Sequence, residues 1–152
     1  MNNSLSIEEF WRDFTIKNKL PEETPYTSWA FGGDSQQVDE LLDLVLQGKK
    51  RGTASYYDLY LLEKDEFPKV GEYSVILNSA QEAKVVIQTK VVEFISFQQV
   101  TAAHAYLEGE GDRSLAYWKK VHEEFFTKEA NSCGLPFRKE ALVVYEIFDV
   151  VN

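Results

Sequence analysis

The stretch Gly48-Lys49-Lys50-Arg51-Gly52-Thr53-Ala54-Ser55 (GKKRGTAS) stands where one periodicity gives way to another. Upstream, Val38, Leu41, Leu42, Val45 and Leu46 recur at helical spacing, and Gly48 sits where a helix C-terminus takes a left-handed residue. Downstream, Gly52, Thr53 and Ser55 begin a polar strand or loop, and the apolar and aromatic stretch Tyr56 to Leu62 follows. A helix ends, the chain turns and a new segment begins, all within this short run.

Working outward, the preceding strand spans Tyr26 to Phe31 and is stopped by Gly32 and Gly33, after which Asp34 or Ser35 caps the helix. Further back lie a connector with two prolines, Leu20 to Pro25, and a first helix that begins at Ser6. Ser6 and Glu9 have capping-box spacing, and Ile7, Phe10, Trp11 and Phe14 form one apolar stripe. On the other side, Pro68 and Gly71 mark a turn, and Tyr73 to Leu77 and Lys84 to Phe94 read as strands. Val100 to Leu107 is a candidate helix and Glu108 to Asp112 (EGEGD) a loop. Ser114 to Lys128 is a helix with Leu115, Trp118, Val121 and Phe125 on one face, and Leu142 to Val150 is a closing strand. This irregular order predicts an α+β domain on a curled sheet, not a doubly wound parallel sheet. The length, 152 residues, fits one domain over residues 1–152, with residues 1–25 as a helical extension and 26–150 as the core.

The composition removes several function classes. A formal net charge of -9 argues against coating duplex DNA or long RNA, which needs many Lys/Arg–phosphate contacts, yet leaves room for a local basic mouth. The single cysteine, Cys133, rules out a disulfide within the chain and argues against a thiolate zinc site. The opening MNNSLSIEEFW has no basic start followed by an apolar run, and no stretch approaches the ~20 apolar residues of a membrane helix. A cytoplasmic protein with no membrane partner is the expectation.

Three constellations bear on chemistry. In GKKRGTAS, Lys49, Lys50 and Arg51 follow a helix C-terminus. On the functional reading Lys50 projects into a cleft beside the hydroxyls of Thr53 and Ser55, where a desolvated amine acts as base or nucleophile. On the plain reading the three cations complement the helix dipole and stay in water. In EGEGD, Glu108 can stand opposite Lys50, and Asp112 can cap the following helix. An acidic glycine-rich loop of this kind can also bind a divalent cation, but it lacks the longer spacing of an EF-hand, so that signal is weak. Trp29 and Phe31, beside Gly32-Gly33, suit either a stacking floor for a base or a core position at a strand end. His104 and His122 form no metal-ligand pair with a nearby Cys or His and read as structural or solvated.

Together these segments resemble the ASCH domain family, whose fold is similar to the PUA domains that bind RNA. The resemblance runs from about Tyr26 to Val150. It is carried by WAFGG followed by a helix ending in GKKRGTAS, by FPKVGEYSVILNS with AKVVIQTKVVEF, and by AHAYLEGEGDRSLAYWKKVHEEFF with the closing VVYEIF. Gly48, Lys50 and Thr53 look like the family's G-x-K-x-x-[ST] signature. The resemblance implies a PUA-like mixed β-barrel surrounded by helices. It implies RNA binding with ribonuclease activity in some members, and in a shorter branch a metal-independent amidohydrolase of N4-acetylcytidine. That branch's lysine, threonine and glutamate correspond to Lys50, Thr53 and Glu108. Trp29, Phe31, Lys49, Arg51 and Ser55 are then candidate substrate contacts, with RNA or a nucleoside as ligand and no cofactor or metal. A non-catalytic interaction domain is the remaining alternative.

Overall fold

The computed structural model describes residues 5–152. Its elements are α1 (Ile7–Lys17), β1 (Tyr26–Trp29), α2 (Ser35–Leu46), β2 (Gly52–Tyr56), α3 (Tyr57–Glu63), β3 (Tyr73–Leu77), β4 (Ala83–Ser96), a 3-10 turn (Phe97–Gln99), α4 (Ala102–Glu108), α5 (Leu115–Ser132) and β5 (Leu142–Val150). Several ends are set locally. Ser6 caps α1 in a full capping box with Glu9, and Asp34 caps α2 in another with Gln37. Ser114 caps α5, and Asp112, the expected cap, instead accepts the Ser114 N–H at 2.9 Å.

The five strands form one mixed sheet in the order β1-β3-β4-β5-β2, with β1 parallel to β3 and the other pairs antiparallel. The α+β class holds, but the sheet does not close into a barrel. Closure would require β1 and β2 to exchange hydrogen bonds. These edge strands have four and five residues, and the helix joining them, α2, lays Leu42 and Val45 against Ile76, Val85, Ile87 and Phe148. That helix fills the face a barrel would enclose, and short edges resist further pairing.

Strand alternation gives the sheet two apolar faces. Ile76, Val85 and Ile87 meet α2, while Val75, Leu77 and Val86 meet Trp11 and Phe14 of α1. A third cluster, including Tyr56, Phe97, Trp118, Phe126 and Val143, packs α5 against the other end of the sheet. The buried stripe of α5 is Trp118, His122, Phe126 and Ala130, one helical step from the Leu115–Phe125 face that the apolar pattern suggests. Phe125 is left at the surface while His122 turns inward. A charged partner inside the protein explains that rotation.

A buried ion cluster as candidate functional site

Two loops distant in sequence are joined by one backbone and one side-chain hydrogen bond. The Arg51 N–H donates to Leu107 O at 2.7 Å, and the Arg113 guanidinium donates to Lys49 O at 3.3 Å. Gly109, at the end of α4 with φ 75°, lies so close that a β-carbon there would stand 2.4 Å from Lys49 O. Only glycine meets both the left-handed backbone and that approach. GKKRG and EGEGD therefore meet, and Lys50 is brought against Glu108.

Lys50 is 2% exposed and Glu108 is 1% exposed. The Lys50 ammonium donates to Gly52 O at 2.8 Å, lies 3.6 Å from Glu108 Oε1 and 3.5 Å from Glu110 Oε2, and stands 5.3 Å over the Phe31 ring. The other carboxylate oxygen of Glu108 accepts the indole N–H of Trp118. His122 Nε2 approaches Glu108 Oε1 at 3.4 Å, and its ring stacks on Trp118 with centroids 4.1 Å apart. His122 Nδ1 donates to Trp118 O at 2.9 Å. A neutral ring protonated there would turn a bare Nε2 lone pair toward a carboxylate, so the imidazolium, which donates from both nitrogens, suits this site.

The titration of both groups follows. Burial pushes the Glu108 carboxyl up, but the charges of His122 and Lys50 and their hydrogen bonds outweigh it, and its pKa lies below the ordinary carboxylate value. Burial pushes His122 down, but the Glu108 charge and hydrogen bond, with help from Glu110, carry its pKa above the ordinary imidazole value. The result is an ionised, buried glutamate held by two cations.

The remaining candidates divide. Phe31 lies under Lys50 and is buried against Phe148, so its ring forms no open stacking floor, and Trp29, half-buried, stands edge-on to it at 5.0 Å. Lys49 is exposed and contributes its carbonyl, and Arg51 pairs with Asp149 at the surface. Thr53 is in register with Glu146, whereas Gly52 and Ala54 face Tyr145; a β-carbon at Gly52 would stand 2.4 Å from the Tyr145 hydroxyl. Alternation thus turns Thr53 to the side of the strand that carries Glu146 and Phe148, and among the described residues it makes no hydrogen bond to Lys50 or Glu108. Ser55 lies on the Thr53 side, against Tyr60. Lys50 and Glu108 are brought together, and Thr53 makes no hydrogen bond to either.

Trp118, His122 and Glu110 belong to the group although sequence reasoning did not place them in it. The four-residue spacing of Trp118 and His122 was the signal available. Donor atoms of Glu108, Glu110 and His122 lie within 4.8 Å of one another, and the Lys50 ammonium lies against both carboxylates. A cavity of about 380 Å³ bordered by Val45, Lys50, Arg51, Lys90 and Phe148 reaches the cluster through Lys50. That is within the range of small-molecule sites. Among the described residues, no helix is long and apolar enough to cross a membrane.

A family model described as the ASCH domain matches residues 27–152. No curated protein matches the chain. Among solved structures, the chain is similar to a protein from Enterococcus faecalis assigned to family DUF984. The two are 34% identical with a TM-score of 0.88, covering 95% of this chain and 87% of that one. It is also similar to an ASCH domain from Lactobacillus crispatus, 28% identical with a TM-score of 0.85, covering 97% and 96% of the two chains. A hypothetical protein 17% identical, with a TM-score of 0.56 over 84% of this chain, shares the fold alone.

Proposed function

The chain belongs to the ASCH domain family, and from that premise we propose an RNA- or nucleoside-directed protein that receives one unpaired nucleoside at the Lys50–Glu108 end of the sheet. The observation that carries this reading is the buried Lys50–Glu108 pair beside a cavity of nucleoside scale. A carboxylate kept ionised by two cations, facing an ammonium, is equipped to move a proton and to stabilise a developing oxyanion.

The chemistry that suits it is hydrolysis of an amide on the base. Water adds to the acyl carbon and gives its proton to Glu108. The Lys50 ammonium stabilises the oxyanion. The C–N bond then breaks as Glu108 returns the proton to the leaving amine. Trp118 and His122 hold the two oxygens of Glu108 from behind and act as positioning residues. No metal enters these steps. The orientation of Thr53 toward Glu146 favours a second reading, in which the site recognises a nucleoside without turning it over.

The test is turnover and binding of N4-acetylcytidine and a short single-stranded RNA by the wild type, Lys50→Ala and Glu108→Gln, with the fold followed by circular dichroism. Hydrolysis by the wild type that drops at least ~100-fold in a folded variant supports the enzyme. Binding that weakens in the variants without any turnover supports recognition. Neither binding nor turnover by the wild type on either ligand overturns the proposal.

A further inference from the structure

The chain carries 25 acidic and 16 basic side chains, yet the cavity at the Lys50 end of the sheet is bordered by three cations, Lys50, Arg51 and Lys90, and by a single carboxylate, Asp149. A basic cavity on an acidic protein is a local exception to the field of the whole molecule. Burial orders the three cations. Lys50 is buried and engaged with Gly52 O, Glu108 and Glu110. Arg51 has 52% of its side chain exposed, and Lys90 is exposed. Lys50 therefore stands at the inner end of the cavity and the other two at its mouth, while Val45 and Phe148 supply apolar wall.

The backbone brings both outer cations to the Phe148–Asp149 segment of β5. Arg51 is tied on two sides: its N–H donates to Leu107 O at 2.7 Å, and its carbonyl accepts the Phe148 N–H at 2.9 Å. Lys90 is the extra residue of a β-bulge. Thr89 is in register with Phe148 and Val91 with Ile147, so Lys90 has no partner on β5. A bulge breaks the alternation of a strand and re-aims one side chain, and here it gives the cavity a lysine.

Neither outer cation is fully engaged. Asp149 takes one terminal nitrogen of the Arg51 guanidinium, and the other N–H groups of that fork have no acceptor among the described residues. Lys90 donates to Gln88 Oε1 at 2.8 Å, which uses one of its three donor directions. A guanidinium fork beside a lysine point charge is the donor set that a phosphate takes.

We propose that Arg51 and Lys90 form a phosphate subsite at the mouth of this cavity, so that the ligand received at Lys50 is a nucleotide and not a free nucleoside. This rests on the nucleoside reading above and narrows its substrate class. The base goes inward to Lys50 and Glu108. The phosphate stays at the mouth, where it keeps part of its hydration and lies away from the carboxylates already held by Lys50. Asp149 opposes an anion there, but two cations face that one carboxylate, and the balance favours phosphate.

The experiment compares the wild type with Arg51→Gln, Lys90→Gln and the double variant, with the fold followed by circular dichroism; the single variants serve if the double one fails to fold. Binding of cytidine, its 5'- and 3'-monophosphates and inorganic phosphate is followed by calorimetry and by thermal unfolding. The wild type is expected to bind at least one monophosphate at least ~10-fold more tightly than cytidine, and that ratio is expected to fall by ~10-fold in the double variant. The ratio should also shrink as salt is raised, because the mouth is open to solvent. Equal binding of cytidine and both monophosphates by the wild type overturns the assignment, as does a ratio that the variants leave unchanged. If the wild type binds neither nucleoside nor nucleotide, the nucleoside reading falls, and inorganic phosphate alone then decides: stabilisation of the wild type that the double variant loses keeps the anion subsite, and equal behaviour removes it.

Discussion

Two glutamates, one buried and one half-buried, meet opposite fates. Glu108, at the end of α4, has Lys50, His122 and the Trp118 indole around it, and its pKa is lowered. Glu146, in β5, has the Thr89 hydroxyl at 3.3 Å and the repelling charge of Glu72. With burial the largest influence, its pKa is pushed up to about 7. Burial disfavours the charge of both side chains. What separates them is whether the surrounding elements bring cations, as the loop after α2 does with Lys50 and α5 does with His122. One carboxylate is thereby held ionised at rest, and the other is poised to change charge near neutrality.

The largest effect tests the first half of that contrast. Glu108→Ala leaves the buried cations Lys50 and His122 with Glu110 as their one remaining carboxylate and is expected to cost ~3–5 kcal/mol in denaturant unfolding. Glu146→Ala is expected to cost clearly less at pH 8, and equal losses would break the comparison. The next effect is in the pH dependence. A folded pKa raised from 4.5 to about 7 means that the stability tied to Glu146 is full below its unfolded pKa. It is lost as pH rises from about 4.5 through about 7, by on the order of 3 kcal/mol. Glu146→Gln should flatten this window. At the other site the lowered carboxyl of Glu108 contributes stability that is lost as pH falls through its folded pKa. The raised imidazole of His122 contributes stability that is lost as pH rises through its folded pKa. A falling limb between pH 5 and 7 that persists in Glu146→Gln would contradict the assignment of that limb.

Two smaller changes sharpen the contrast. Trp118→Phe removes the indole donor to Glu108 while keeping an aromatic ring in the core, and should cost ~1–3 kcal/mol. A smaller loss would assign the hold on Glu108 to Lys50 and His122 alone. Thr89→Val removes the one hydroxyl that favours ionised Glu146. It should move the Glu146 titration upward in NMR, with a stability change of about 1 kcal/mol. A downward move would show that the hydroxyl prefers the protonated acid.

Local signals were readable where the physics is local. The capping residues Ser6 and Asp34 and the strands Tyr73–Leu77 and Leu142–Val150 appear where spacing and β-branched content put them. α3 was not separable from its surroundings, because Tyr57–Glu63 is apolar and aromatic without one-sided periodicity. The proximity of Lys50 and Glu108 was legible through the family resemblance. The orientation of Thr53 was not, because it depends on the register of β2 against β5. His122 escaped for a related reason. Hydrophobic periodicity ranks Val121 and Phe125 above a histidine, and nothing along α5 itself announces a carboxylate waiting on α4. The open sheet was hidden as well, since strand content does not reveal that α2 fills the face between the edges.

The order of strands carries a consequence for how the molecule comes into being. β5 is the last strand in sequence, yet it lies between β4 and β2 and hydrogen-bonds to both. Until Leu142–Val150 has been synthesised, β2 has no partner and the sheet is only a β1-β3-β4 fragment. Folding of such a chain on the ribosome cannot proceed strand by strand from the N-terminus; it waits for one late, long-range pairing and then closes cooperatively. Because Gly52–Tyr56 is anchored by that same strand, the junction bearing Lys50 and Glu108 is expected to be among the last parts of the protein to acquire protection from hydrogen exchange.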